Sequence, residues 1–301
     1  MKTIEVVEYT DPGCVWSWGS EPQLRWLRHR YGAQLAWRRV LGVQVDRLEL
    51  GHPGLDPVAD AETFRAQWLG VAEHTQAPVP IRLRWMHRST RPAAEAAHAA
   101  ALQGPAVADR VLRRLREAVF LTGRPADEPA RIAEAVQGAD GVDVERLLTD
   151  LADPAVLARV EDDFEETRAP HRDVLDRSGP GPNPGAARPD GAGRLRYGFP
   201  TLILRGPGGE QVVSGWRTIE ELAEAVQGAG ARPIDTGAPI DPDEALARYR
   251  TLTVRDLELL TGGREPVGAV VVPTATTPVW AHPDEAGRLL GEPAAAAAAS
   301  A

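Results

Sequence analysis

The sequence predicts an α/β chain in which an opening β-α-β unit and a closing β-β-α unit are separated by a large helical insertion, with a small unit appended at the C-terminus. Three observations predict it. Residues 3–9 alternate like a half-buried strand and lead through a turn into a helical stretch. From about 60 to 176, apolar residues recur at three-to-four spacing, and near 201–213 two short β-type runs flank a glycine-rich turn.

In order, Asp11-Pro12-Gly13 breaks the first strand pattern, and Leu24, Leu27 and Tyr31 then fall on one side of a helix. Leu35 to Leu41 forms a second strand, which needs a right-handed crossover if it runs parallel to the first. Within the insertion, Val107, Val111, Leu112, Leu115 and Val119 share a face, as do Val144, Leu147, Leu148 and Leu151. Asp153-Pro154 supplies an N-cap and a first-turn proline ahead of Val156, Val160 and Phe164. In residues 178–193, nine of sixteen positions are Gly or Pro, so the expectation is a mobile loop with neither helix nor sheet. Thr201 to Leu204, a turn at 206–209 and Gln211 to Val213 make a hairpin, and Thr218-Ile219-Glu220-Glu221 has the form of a capping box before Leu222 and Val226. Asp243 to Leu260 has helical spacing, Gly268 to Val272 resembles a strand, and Glu292 onward is alanine-rich. The expected division is 1–56 and 197–232 for the two parts of the main fold, 57–177 for the insertion, 178–196 for the loop, 235–285 for the small unit and 286–301 for a disordered tail.

At 301 residues with 43% hydrophobic content, the chain can bury a substantial core. Its net charge of −9, with 34 basic residues scattered among 43 acidic ones, argues against a nucleic-acid surface. No apolar run reaches the roughly 18 residues a membrane span needs, and no apolar leader follows Met1, so the expected compartment is the cytoplasm and no membrane partner is expected. A single cysteine excludes an intramolecular disulfide, and none of the seven histidines forms a ligand-type pair, so no metal site is expected.

Cys14 lies where a strand ends and a helix begins. There, free backbone N–H groups and the helix dipole favour a thiolate, so its pKa is expected to be lowered. A lone cysteine is otherwise most often a buried structural residue. Pro200, in Tyr197-Gly198-Phe199-Pro200-Thr201, stands directly before a strand, which suits a cis bond or a strand edge. Trp16 and Trp18 are by default packing residues, and Glu21 suits a salt bridge better than general-base work.

The run Asp11-Pro12-x-Cys14-x-Trp16-Ser17-Trp18-x-x-Glu21-Pro22, the Ser89-Thr90-Arg91-Pro92-Ala93 stretch and Gly198-Phe199-Pro200-Thr201 together resemble the DsbA-like, FrnE-type group of thioredoxin-fold oxidoreductases, and the first run looks particularly like its SpxH branch. The resemblance spans roughly residues 3–230. It implies a thioredoxin fold whose helical insertion covers the redox face, Cys14 as the attacking thiol, a cis Pro200 opposite it, and Trp16, Phe199 and Thr201 along the substrate path. One position departs from the family's Cys-x-x-Cys: Ser17 replaces the second thiol, and a hydroxyl cannot resolve a mixed disulfide. What the resemblance then implies is monothiol exchange on protein thiols and disulfides or small-thiol adducts. No bound cofactor is expected, and an external low-molecular-weight thiol would serve as co-substrate. Two alternatives stand beside this: a non-catalytic SpxH-like adaptor that presents a client protein to a protease, and a kappa-type thiol-cofactor transferase or isomerase. Tyr249 to Gly262 faintly resembles the first helices of a winged-helix module without its basic second helix, which suits packing or protein contact.

Overall fold

A computed structural model describes residues 3–51, 53–179, 182–234 and 238–291. Strand β1 (Ile4–Thr10) leads into helix α1 (Val15–Tyr31) and strand β2 (Leu35–Leu41), and β1 and β2 pair in parallel from Ile4↔Leu35 to Thr10↔Leu41. After the insertion come the short β3 (Arg188–Pro189) and β4 (Leu195–Arg196), then β5 (Thr201–Gly206), β6 (Gly209–Ser214) and helix α9 (Ile219–Gly228). The main sheet has the order β2-β1-β5-β6, with β5 antiparallel to both of its neighbours. This is the β-α-β … β-β-α arrangement the sequence predicts.

Alternation along β1 decides what each face of the sheet holds. Ile4 and Val6 pack with Leu24, Leu27 and Tyr31 of α1 and with Leu222 and Val226 of α9. Val7 and Tyr9 point the other way and pack with Cys14, Val40, Tyr197, Phe199 and Ile203. The capping box at Thr218 and Glu221 is formed, which fixes the start of α9 against the first of these faces.

The insertion comprises the single-turn α2 (Leu48–Gly51), then α3 (Ala61–Thr75), α4 (Arg91–Ala101), α5 (Pro105–Phe120), α6 (Pro129–Val136), α7 (Val144–Asp150) and α8 (Pro154–Thr167). Asp153 caps α8 by accepting from Ala155 N–H at 2.7 Å, and Val156, Val160 and Phe164 are buried as their spacing predicts. Asp163 of α8 accepts from the Leu41 N–H at 2.8 Å, which ties the insertion to the end of β2.

Four expectations need correction. Within 178–193, residues 180 and 181 lie outside the described residues, but Arg188–Pro189 pairs with Leu195–Arg196, so the stretch does hold a short two-stranded ladder. It also packs inward: Asn183 is 4% exposed, and Gly185 carbonyl oxygen accepts from Ser214 Oγ at 2.6 Å. The expected helix over 243–260 is interrupted. Helix α10 (Pro242–Tyr249) stops at Arg250, whose φ is +65°, and Thr251-Leu252-Thr253 forms strand β7 before the short α11 (Val254–Asp256) and a wider helical turn over Leu257–Thr261. Two threonines flanking a leucine favour a strand where a partner is available, and β9 (Val279–Ala281) provides one, with β8 (Val270–Val272) completing the order β7-β9-β8. Helix α12 (Pro283–Leu290) occupies the start of the stretch expected to be a disordered tail, and Leu289 is buried; residues 292–301 lie outside the described residues.

The fourth correction is larger. The C-terminal unit is not an appendage, because Val272, Val279, Ala281 and Leu289 share one apolar cluster with Val15, Trp18, Trp68 and Phe120. Buried charges fasten it as well. Arg25 of α1 pairs with Asp256 at 3.0 Å, the Thr251 hydroxyl donates to Glu117 at 2.8 Å, and Glu285 pairs with Arg113 at 3.1 Å and Arg114 at 3.0 Å. Arg288 closes the set on Glu117.

Candidate functional site

The turn that presents Cys14 is built on the buried carboxylate of Asp11. It accepts from the Gly13 N–H at 2.7 Å, from the Gln44 N–H at 2.6 Å and from the Thr90 hydroxyl at 2.8 Å, joining the β1 exit, the β2 exit and the start of α4. A Cβ at position 13 would come within 2.7 Å of the His87 ring and 2.9 Å of the Thr90 methyl, so only glycine fits. Cys14 is then the N-cap of α1, and its carbonyl accepts from the Trp18 N–H at 2.9 Å.

Cys14 Sγ faces the carbonyl of Phe199 at 3.9 Å, and the Phe199–Pro200 peptide bond is cis. The thiol is 4% exposed, and burial pushes its pKa up, contrary to the lowered value expected from its place at a helix N-terminus. The Ser17 N–H and hydroxyl and the Arg196 charge favour the thiolate, while the Asp11 carboxylate disfavours it, and the sum does not offset desolvation. A helix terminus stabilises a thiolate by fractions of a charge, which suffices at a wet surface and not in a site closed on all sides. Ser17 is 2% exposed, and its hydroxyl, with no nitrogen or oxygen partner among the described residues, is left to the Cys14 sulfur.

The structure brings the remaining predicted residues together without leaving them open. Phe199 is 4% exposed; its carbonyl accepts from both Cys14 and Asn183, and its ring lies 4.9 Å from the Arg196 guanidinium. Pro200 is buried, and its carbonyl accepts from the Gly215 N–H at 2.8 Å. Thr201 is an interior sheet residue between Tyr9 and Ser214, with its hydroxyl bonded to Gly198 and Ser214 at 2.6 Å each. It therefore presents no free strand edge to a substrate. Trp16 is half-buried between the two apolar clusters that meet at Cys14, which leaves it as the predicted substrate-path residue with surface to offer. Trp18 is core, stacked on Phe120 with its indole N–H bonded to the Pro78 carbonyl.

Sequence reasoning missed the roles of Asn183 and Arg196, both contributed by the stretch read as a mobile loop. It also missed a charged layer on the α1 face. Glu21 pairs with Arg116 at 2.7 Å, and Arg116 also donates to the Thr10 hydroxyl at 2.8 Å. Although burial alone would raise it, Glu21 is held down at about 2 by Arg116, Arg28 and Arg25. Glu8, on β1, is reached by Arg28 at 3.2 Å and Arg39 at 3.3 Å. The signal was available: Glu8 falls in the buried phase Ile4, Val6, Glu8, Thr10 of β1, where a charge must be paired. Among the described residues, no cluster of three or more metal-type side chains is found, and no helix is long and apolar enough to cross a membrane.

Two curated relatives are described as ClpXP adapter protein SpxH, from Shouchella clausii (26% identical over 166 residues, 55% of this chain and 54% of the relative) and from Halalkalibacterium halodurans (25% over 177 residues, 58% and 57%). The chain thus spans little more than half the length of these relatives. Among solved structures, one from Nitrosomonas europaea assigned as a protein disulfide isomerase superposes with a TM-score of 0.55 at 17% identity, covering 75% of this chain and 96% of that one. One from Streptomyces coelicolor assigned as a DsbA oxidoreductase gives 0.52 at 19% identity, covering 79% and 93%. At such identities these structures show a shared DsbA-like fold. The family described as thioredoxin matches residues 8–169. With more than half of its length inside that match, the chain belongs to the thioredoxin family.

Proposed function

We propose that this protein carries out monothiol exchange through Cys14, capturing one half of a protein or small-molecule disulfide as a long-lived mixed disulfide in the cytoplasm. The observation that supports this reading is the pairing of a buried, pKa-raised Cys14 with Ser17 in the place of a second thiol. The Cys14 thiolate attacks one sulfur of a disulfide, forming the Cys14–S–S–R bond and releasing the other half as a thiolate. An external thiol then attacks that bond and returns Cys14, because Ser17 cannot. A thiol with a raised pKa is a good nucleophile once ionised but a slow leaving group, so capture outlasts turnover. Arg196 and Ser17 stabilise the thiolate in both directions, and Trp16 offers apolar surface to the incoming group.

A second reading is a client-binding adaptor without turnover. It is favoured by the SpxH descriptions of the two curated relatives and by the closed state of the thiol. One experiment separates them: incubate the protein with oxidised glutathione, follow the intact mass, then add excess reduced thiol. Exchange predicts one adduct on the wild type, none on Cys14→Ser, and its removal by the added thiol. Absence of any adduct after prolonged incubation at alkaline pH would leave the adaptor reading standing alone.

A further inference from the structure

On the face where the helical insertion meets the C-terminal unit lies an open cleft of about 410 Å³, within the size range of roughly 300–1,000 Å³ typical of small-molecule sites. Cys14 is not among its lining residues. Five guanidinium groups line it, from Arg82, Arg84, Arg124, Arg131 and Arg288, against one carboxylate, Glu134. On a chain whose net charge is −9, such a concave positive region concentrates anions.

Three of these arginines already have partners. Arg131 pairs with Asp127 at 2.6 Å, Arg124 with Glu134 at 2.7 Å, and Arg288 with Glu117 and Glu285. No hydrogen bond or ion pair in contact is seen for the Arg82 and Arg84 side chains among the described residues, although the Arg82 charge is felt by Glu62. Backbone packing holds them there. The Arg84 N–H donates to the Gly123 carbonyl at 2.8 Å, and Gly123 has a φ of +64°, where a Cβ would lie 1.9 Å from the Arg82 carbonyl oxygen. Only glycine allows the turn after α5 to lie this close, and that approach sets Arg82 and Arg84 beside Arg124. Behind the charges is an apolar floor of Leu121, Val272 and Leu289, with the Trp85 ring under Arg131 at 4.1 Å.

We propose that this cleft binds an organic phosphate, with the phosphate between Arg82 and Arg84 and an apolar or aromatic body on the floor. Two exposed guanidinium groups without hydrogen-bond acceptors of their own match the two charges and three acceptor oxygens of a phosphate monoester better than the single charge of a carboxylate.

The test is calorimetric titration of the full chain with adenosine monophosphate, inorganic phosphate, adenosine and a glutamate-rich peptide at low ionic strength. Adenosine monophosphate should bind saturably and more tightly than inorganic phosphate or adenosine. Affinity should fall about tenfold in Arg82→Gln/Arg84→Gln, the loss of a charge-assisted contact, and should weaken with added salt. Both side chains are exposed, so the double variant should fold, and its Cys14 alkylation rate should equal that of the wild type; Arg84→Glu gives an independent check. The proposal is overturned if adenosine monophosphate does not saturate, if its affinity survives both variants, or if inorganic phosphate binds as tightly. Tighter binding of the acidic peptide would also overturn it, and would make the cleft a protein-docking surface.

Discussion

Strand β1 separates two buried ionisable centres that respond to burial in opposite ways. On the Cys14 side, a single thiol is enclosed by apolar side chains and peptide dipoles, and its pKa rises. On the α1 and α5 side, Glu117 is fully buried and Glu21 mostly so, but Arg116, Arg113 and Arg288 lie against them and both are held at about 2. The difference lies in what replaces water. Several opposite charges around one carboxylate outweigh desolvation, whereas a single one at Asp256, or a helix N-terminus, a hydroxyl and Arg196 at Cys14, do not. The first centre therefore keeps its proton and its chemistry in reserve, and the second serves architecture, joining α1, α5 and the C-terminal unit.

Removing one charge from the second centre should have the largest effect. Glu117→Ala leaves Arg113, Arg114 and Arg288 with Glu285 as their one remaining carboxylate, and breaking a buried pair from one side costs about 3–5 kcal/mol. Urea denaturation should show that loss, and a change below about 1 kcal/mol, the usual scale of exposed ion pairs, would mean the network is solvated in solution.

Acid gives the next largest effect. A carboxyl whose folded pKa is depressed contributes stability above its unfolded value, near about 4.3 for Glu, and that stability is lost as pH falls through the folded value. Glu21 and Glu117 sit at about 2, so the urea midpoint should fall steeply from about pH 4.5 down toward pH 2. Asp256, raised by burial despite Arg25, acts in the opposite direction and flattens the curve slightly. In Glu117→Gln the acid slope should shrink; an unchanged slope would exclude Glu117 as a source of the acid sensitivity.

Sharpening the first centre calls for a smaller change. Ser17→Cys supplies the thiol that can attack a Cys14 mixed disulfide from the same helix, so disulfide reductase turnover should rise by at least about tenfold, or about 1.4 kcal/mol in barrier. A folded variant with no gain would show that access to Sγ, rather than resolution, limits the cycle.

The same contrast explains what could be read from the chain. The boundaries of β2 and the capping box of α9 are local, so alternation and cap residues sufficed. The cysteine turn was legible because Asp11, Gly13 and Cys14 act within four residues. The C-terminal unit was misread because Thr251 to Thr253 becomes a strand only through Val279–Ala281, and because Arg25, Glu117 and Glu285 look like solvated helix charges until their partners are known. The Cys14 pKa was misread for the same reason: position on the helix is visible in the sequence, but the cover formed by Tyr197, Phe199 and Asn183 is not.

Cys14 is a protonated, enclosed thiol, and the pH dependence of its alkylation reads that state. As the sole cysteine, it reports without ambiguity by intact mass after reaction with iodoacetamide. Modification should be slow near neutrality, with a rate still climbing above about pH 9, beyond the ordinary thiol value of about 8.5. A rate that is already at its plateau at pH 7 would contradict it, since that result requires a thiolate stabilised beyond what Ser17 and Arg196 provide.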